Sequence, residues 1–375
     1  MANFTWRNEL KYSINTIEEL QSIFNFPSDK LNKIKNIVKH HPYAITQYYL
    51  SLINKDDPND PIRRIAIPSV EELSTEGVYD TSGEQKSTKI PGLQHKYQQT
   101  ALLLLTNQCA VYCRFCFRKR LVGVTTKEIL QDFDQAAEYI TAHPEINNVL
   151  ITGGDPLVLS NDILEKLLGK LSRIPHLKFI RIGTRIPVVF PRRISEDPYL
   201  QSLLKKYSTP YRRLFIVTQF DHPREITEQS IKAVQTLIRT GCIINNQTTL
   251  LKGVNDKPAV LAELQNSLTG IGVNPYYVFQ CRPVKRVKDR FQLPLKRGIQ
   301  VVEGAKKLLN GHSKRFKYAM SHETGKIEIL GTYEGKYFFK YHQARNPRLL
   351  GKIFVKELDD TAGWLDTKPI PEHCL

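Results

Sequence analysis

Three cysteines, Cys109, Cys113 and Cys116, stand within eight positions in the run LLLLTNQCAVYCRFCFRKR, with the spacing C-x3-C-x2-C. Three thiolates on one short loop can hold three irons of a 4Fe-4S cluster and leave the fourth iron without a protein ligand. The amino and carboxylate groups of S-adenosylmethionine can chelate such an open iron. One electron from the cluster then breaks a carbon–sulfur bond and yields a deoxyadenosyl radical. The cysteines alone leave two other readings open. A structural zinc site would want a fourth Cys or His with its own paired spacing, and Cys113-Arg114-Phe115-Cys116 could serve as a redox dithiol.

A second candidate is Gly153-Gly154-Asp155. Two glycines let a backbone approach a ligand without a Cβ clash, and the carboxylate can accept from an ammonium group. The remaining cysteines, Cys242, Cys281 and Cys374, are scattered, and the first two lie in strand-like runs as small buried hydrophobes would. Six cysteines with three packed together do not form the spread framework of a disulfide-stapled secreted protein. No apolar run reaches the roughly 20 residues of a membrane helix, and the first residues lack a signal-peptide pattern. The expected location is the cytoplasm. A net charge of +17 raises the question of an anionic partner. The densest basic stretch, Arg282 to Arg297, carries no nucleic-acid-binding motif, which favours a solvated basic face or an anionic-substrate site over nucleic acid.

The elements that must position these groups are legible as alternating strands and helices. Short apolar runs begin at Ala101 (ALLLLT), Asn148 (NVLIT), Phe179 (FIRIGT), Leu214 (LFIVTQ), Cys242 (CIINNQTTLL) and Tyr276 (YYVFQC). Helical spacing separates them over 126–142, 162–172, 227–239, 258–268 and 296–309. Six such units predict an α/β fold, a partial (β/α)6 TIM-like barrel, with the cysteines just after its first strand, at the face where barrel enzymes build active sites. Before it, helices are expected over 16–24, 28–40 and 43–53, then a loop-like stretch over 75–92. After Ser313 the pattern changes to KIEILG and KYFFKYH, a β-rich arm. The expected organisation is a helical region over 1–95, the barrel over 96–312 and the arm over 313–375.

The cysteine motif, with Phe115 just before its last cysteine, is that of the radical S-adenosylmethionine superfamily. Its flank YCRFCFRKRLVG resembles the lysine 2,3-aminomutase family. The similarity extends through AITQYYLSLINKDDPNDPIRRIAIP, PGLQHKY, ITGGDPL, RIGTRIPVVFPRRI, LLKGVND and YYVFQC, nearly the whole chain up to about His342. The resemblance implies an isomerase that moves an amino group between the α and β carbons of an amino acid. It implies three cofactors: the 4Fe-4S cluster, S-adenosylmethionine and pyridoxal 5'-phosphate. Cys109, Cys113 and Cys116 are then the metal ligands, and Gly153, Gly154 and Asp155 the site for the S-adenosylmethionine amino group. Lys326 is the pyridoxal lysine, although His322-Glu323-Thr324-Gly325 stands where free-amino-acid members have a glycine-rich stretch. Lys96 and Tyr97 contact the pyridoxal phosphate, Lys96 replacing the usual arginine, and Arg118 pairs with the substrate carboxylate.

The departures from the family bear on the substrate. Lysine-acting members hold the distal ammonium with two aspartates, and here those places are Arg282 and Ala319. A cation there repels a lysine side chain by a few kcal/mol at intermediate dielectric, and Arg282 suits the carboxylate of glutamate or aspartate instead. Gln219 replaces a common histidine, and the family's C-terminal zinc-binding cysteines are absent, so no structural zinc is expected. A flavodoxin- or ferredoxin-type electron donor and a homo-oligomer follow by the same resemblance. Three other readings stand beside it: a radical enzyme without pyridoxal phosphate, an enzyme modifying a lysine on a translation factor, and a non-enzymatic iron-sulfur protein that binds nucleic acid.

Overall fold

In a computed structural model of the chain, residues 6–366 are described; residues 1–5 and 367–375, Cys374 among them, lie outside this range. One sheet of twelve strands, hydrogen-bonded in chain order, organises these residues. Its centre is six parallel strands, β3 (Thr100–Thr106), β4 (Asn148–Gly153), β5 (Phe179–Gly183), β6 (Leu214–Thr218), β7 (Ile243–Leu250) and β8 (Asn274–Gln280). These are the six predicted runs. Leu, Ile and Val make up half or more of β3, β4 and β6, as expected where helices cover a parallel sheet, whereas β7 and β8 carry Asn, Gln, Thr and Tyr. The order is linear, so the six strands form an open partial barrel.

Both edges are extended. A hairpin of β1 (Thr88–Ile90) and β2 (Leu93–Tyr97) adds antiparallel to β3; β1 falls within the 75–92 stretch read from sequence as a loop and β2 just after it. On the other side β9 (Lys317–Ser321) pairs parallel with β8, and β10 (Gly325–Tyr333), β11 (Lys336–Ala344) and β12 (Ile353–Glu357) follow as an antiparallel meander. The arm has its own core, in which Val301 and Leu295 of the helix Leu295–Lys307 pack with Met320, Ile327, Phe339 and Phe354.

Helix boundaries follow their caps. Thr16 and Glu19 form a reciprocal capping box for Ile17–Phe24, closed by Asn25 in the left-handed region (φ 43). The helix expected over 43–53 contracts to Gln47–Ser51. Ile45 instead pairs its backbone with Ile14, while Thr46 caps the helix and donates to the Val189 carbonyl at 2.6 Å. The helix expected from Thr126 starts at Phe133, since Asp132 accepts from Asp134 and Gln135 as N-cap, and Leu130 just before it donates to the Leu104 carbonyl.

The basic run after β8 is not a solvated face throughout. Arg290 is 3% exposed, and its guanidinium reaches Glu72 at 2.8 Å. Glu72, fully buried, also takes Arg114 in a fork (3.0 and 2.8 Å) and Lys119 at 2.7 Å. Burial pushes the Glu72 carboxyl up, but the charges of Arg114, Lys119 and Arg290 outweigh it and hold the group well below the ordinary carboxylate range. This cluster ties the segment before β1 to the cysteine loop. No helix among the described residues is long and apolar enough to cross a membrane.

Candidate active site

At the C-terminal ends of the parallel strands lies a cavity of about 340 Å³. All eleven candidate residues line it: the three cysteines, Gly153, Gly154, Asp155, Lys96, Tyr97, Arg118, Arg282 and Lys326. They come from β2, the loop after β3, the end of β4, the turn after β8, and β10. The parallel strands deliver the cysteines, Gly153, Gly154, Asp155 and Arg282 to their C-terminal end, where the start of β10 brings Lys326, whereas Lys96 and Tyr97 come from the end of antiparallel β2, beside Thr100 at the start of β3.

The cysteine loop is held against the end of β4 by backbone pairing. Gly154 N donates to Thr106 O at 2.6 Å and Asp155 N to Gln108 O at 2.8 Å. A Cβ on Gly153 would lie 2.3 Å from Thr106 O, and one on Gly154 2.2 Å from Gln108 O. The two glycines therefore serve the close approach of two protein backbones, not only the approach of a ligand as the sequence suggests. Gly153 also has φ +123, which L side chains rarely adopt.

The three thiols are half-buried, opening on the cavity rather than on bulk water. Burial and then neighbouring anions push Cys109 up, burial pushes Cys116 up against the Arg118 amide and charge, and burial takes Cys113 to about 11 although Arg185 opposes it. Iron binding must therefore displace protons, as thiolate ligation generally does. Donors already face two of the sulfurs: Arg118 N to Cys116 Sγ at 3.4 Å, and Arg185 Nη1 to Cys113 Sγ at 3.1 Å. Among the described residues no three His, Cys, Asp or Glu side chains are gathered to hold a single metal ion. The donor set, with cations beside the sulfurs and apolar Val111 and Phe115 around them, fits an anionic iron-sulfur cluster.

Asp155 is 5% exposed and accepts from Thr184 Oγ1 (2.6 Å), Arg185 N (2.6 Å) and Leu157 N (3.1 Å). Burial still raises its carboxyl above the ordinary value. Asp155 lines the cavity, where its carboxylate can accept from an ammonium.

The far end of the cavity is cationic. Lys326 on β10 has its ammonium 4.3 Å from the centre of the Tyr277 ring. Burial, followed by Arg181, Arg282 and Lys96, lowers it to about 7. A buried amine with so low an affinity for protons is suited to condense with an aldehyde. Lys96 is likewise lowered to about 7 by burial and Arg282, and donates to the carbonyls of Ser82 (3.0 Å) and His322 (2.8 Å). One of its three N–H groups remains for a phosphate. Tyr97, half-buried, lines the wall beside it. These residues fit pyridoxal phosphate, with Lys326 as the amine and Lys96 as a single charge.

Arg282 turns into the cavity, its guanidinium 4.0 Å from the Phe117 ring and its Nη1 donating to Ser82 Oγ at 2.8 Å. Ala319, on β9, is buried and contributes no charge. Gln219, also lining the cavity, donates to Asp221 (3.1 Å) and Thr249 (3.2 Å). Cys242 and Cys281 are buried, as their strand-like runs suggest, and Cys281 also touches the cavity.

Arg118, expected to await a substrate carboxylate, is engaged by a residue that the sequence does not single out. Its Nε and Nη2 donate to Glu84 Oε1 (3.2 and 3.0 Å), and its Nη1 to Thr152 Oγ1 (3.1 Å). Arg185 is also missed; besides Cys113 it reaches Tyr49, Gln219 O, Glu225 and Asp221. The available signal was a charged residue directly after a barrel strand, in RIGTR.

Comparison with known proteins agrees with this geometry. Residues 103–264 match the radical SAM superfamily. Over 359 residues the chain is 45% identical to a protein of Aquifex aeolicus (strain VF5) named "Putative L-lysine 2,3-aminomutase", covering 96% of this chain and 95% of that one. The chain belongs to the lysine 2,3-aminomutase family of radical SAM enzymes. It is 40% identical over 311 residues to L-lysine 2,3-aminomutase of Clostridium subterminale, covering 82% of this chain and 72% of the relative. Glutamate 2,3-aminomutase of Clostridioides difficile (strain 630) is 36% identical over 306 residues, at 80% and 70% coverage. Family members are thus named for substrates of opposite side-chain charge.

Proposed function

We propose that this chain is a radical S-adenosylmethionine, pyridoxal-phosphate-dependent amino acid 2,3-aminomutase whose substrate is an acidic amino acid, glutamate, rather than lysine. The observation that carries the substrate reading is Arg282, aimed into the cavity on a Phe117 platform. A lysine ammonium about 5 Å from that guanidinium would be repelled by about 3 kcal/mol at an effective dielectric near 20, whereas a side-chain carboxylate gains a charge-assisted fork.

When bound, the cluster and S-adenosylmethionine supply the radical, and pyridoxal phosphate activates the migrating amino group. The chain's own residues bind and orient. Cys109, Cys113 and Cys116 ligate iron, and Asp155 accepts from the ammonium of S-adenosylmethionine. Lys326 offers an amine that is about half neutral at pH 7, and Lys96 meets a phosphate. Arg118 takes the substrate α-carboxylate and Arg282 the distal one, so the two ends of the substrate are fixed while its α and β carbons lie between. Val122, Val189, Val217 and Phe279 line the cavity and keep water from the reacting carbons.

The test is anaerobic reconstitution with iron, sulfide, pyridoxal phosphate and S-adenosylmethionine, then reductant, and mass spectrometry for β-amino isomers of glutamate, lysine, arginine and alanine. β-Glutamate without β-lysine is expected. β-Lysine as the main product overturns the acidic-substrate reading, and deoxyadenosine without any β-isomer overturns the aminomutase reading.

A further inference from the structure

Residues 78–87 form one wall of the cavity, from Val78, which bridges Val284, to Lys86, paired with Glu323 at 2.7 Å. The strap carries one buried carboxylate, Glu84, whose contacts are unusually directed. Its backbone N donates to Asp80 Oδ1 at 2.9 Å, its Oε2 accepts from Arg120 at 3.1 Å, and its Oε1 accepts from Nε and Nη2 of Arg118. Arg120 is itself tied to Glu128. Glu84 is thus anchored at both ends before it meets Arg118.

A guanidinium has two edges that fit a carboxylate: the side edge, Nε with one Nη, and the terminal edge between the two Nη atoms. Glu84 occupies the side edge with a single oxygen, and Thr152 takes one Nη1 hydrogen. Of the five N–H groups, one on each Nη has no acceptor among the described residues. With the side edge taken, the free Nη2 hydrogen lies on the terminal edge, and Arg118 lines the cavity.

We propose that Glu84 is the positioning residue of the α-carboxylate site: by gripping the side edge of Arg118 it presents the terminal edge to the substrate. The proposal rests on the reading that Arg118 binds that carboxylate. It runs against a simpler expectation. Glu84 is an anion near an anionic ligand, and field effects alone would make its removal tighten binding. Positioning prevails because the Glu84 charge is already spent on Arg118 and Arg120, whereas an ungripped arginine must be ordered by the ligand.

The sign of the change therefore decides. The reconstituted enzyme, with cluster, S-adenosylmethionine and pyridoxal phosphate but no reductant, is titrated calorimetrically with L-glutamate and L-lysine and with their α-amides. Glu84→Gln should raise the Kd of the amino acid that binds wild type by about five- to tenfold, the cost of immobilising one long side chain. It should leave the α-amide within twofold. A lower Kd, or an equal loss for acid and amide, overturns the proposal. Arg118→Lys separates the two levels: if it leaves Kd unchanged, the α-carboxylate reading fails; if it weakens binding while Glu84→Gln does not, only the positioning role fails. Binding of neither amino acid to wild type overturns both. Should the glutamine variant not fold, Glu84→Asp, which keeps the charge but withdraws it by one methylene, makes the same test with a smaller loss of the same sign.

Discussion

Gly154→Ala is the sharpest perturbation the site offers. The new Cβ would lie 2.2 Å from Gln108 O, 2.7 Å from Gln108 C and 2.9 Å from Gln108 N, all backbone atoms immediately before Cys109. No side-chain rotation relieves such a clash, so the two backbones must part by roughly 1 Å to regain ordinary contact. The Gly154–Thr106 and Asp155–Gln108 hydrogen bonds stretch with them. Forced overpacking costs about 1–3 kcal/mol, and each weakened hydrogen bond up to about 1 kcal/mol more, giving a total of about 1–5 kcal/mol. The parting moves Cys109 away from Asp155, so damage should concentrate at the cluster. Iron and sulfide per chain after anaerobic reconstitution should fall clearly, and the melting temperature by several degrees. Gly270→Ala is the control: nothing lies within 4 Å of its Cβ, and it should leave both unchanged. A Gly154→Ala chain with full iron, wild-type melting and wild-type cleavage of S-adenosylmethionine would refute the account of why these glycines are there.

The other predictions concern charge. Lys326→Met should abolish the visible absorbance that pyridoxal phosphate acquires on binding; in wild type the apparent rate of acquiring it should rise with pH through a midpoint near 7, since the buried amine sheds its proton there rather than near its ordinary value of about 10.4. Arg282→Asp should reverse the preference between glutamate and lysine, measured as the ratio of kcat/KM; an unchanged ratio would show that Arg282 does not read the side chain. Glu72→Gln leaves Arg114, Lys119 and Arg290 without their shared carboxylate and should cost about 3–5 kcal/mol in urea unfolding. Because the Glu72 carboxyl is held low in the fold, its contribution is present above about pH 4.3 and is lost as pH falls, so wild type and variant should converge in acid.

The strands were legible because a covered parallel sheet leaves apolar runs, and the six runs coincide with β3 to β8 within two residues at each end. The hairpin β1–β2 was not, since Thr88–Ile90 is three residues long and Leu93–Tyr97 is polar at three of five positions. The cysteine loop and Gly153-Gly154-Asp155 were visible through local spacing. What sequence hides is the counter-ion: Glu84 meets Arg118 34 residues away, Glu72 meets Arg114 at 42 and Arg290 at 218, and Arg185 meets Cys113 at 72. Nothing in a carboxylate's neighbours along the chain says that a distant arginine will bury it. The same limit made Arg282 to Arg297 look like one basic face, when Arg282 and Arg290 turn inward to different partners.

The two hidden carboxylates explain why the segment before the barrel belongs to the site. Residues 114–120 of the cysteine loop carry Arg114, Arg118, Lys119 and Arg120, interleaved with Cys116 and directly following Cys113. Three of these cations are nearly or fully buried, which costs several kcal/mol each unless paired. Their partners are Glu72 and Glu84, both outside the residues that match the superfamily. The barrel strands alone cannot fix the loop. Because the paired cations alternate with the cysteines, whatever sets Glu72 and Glu84 also sets the sulfurs and the Arg118 guanidinium together. Cluster position and substrate-carboxylate position are thereby coupled through one segment, and a change in residues 70–87 would move both before it altered any ligand directly.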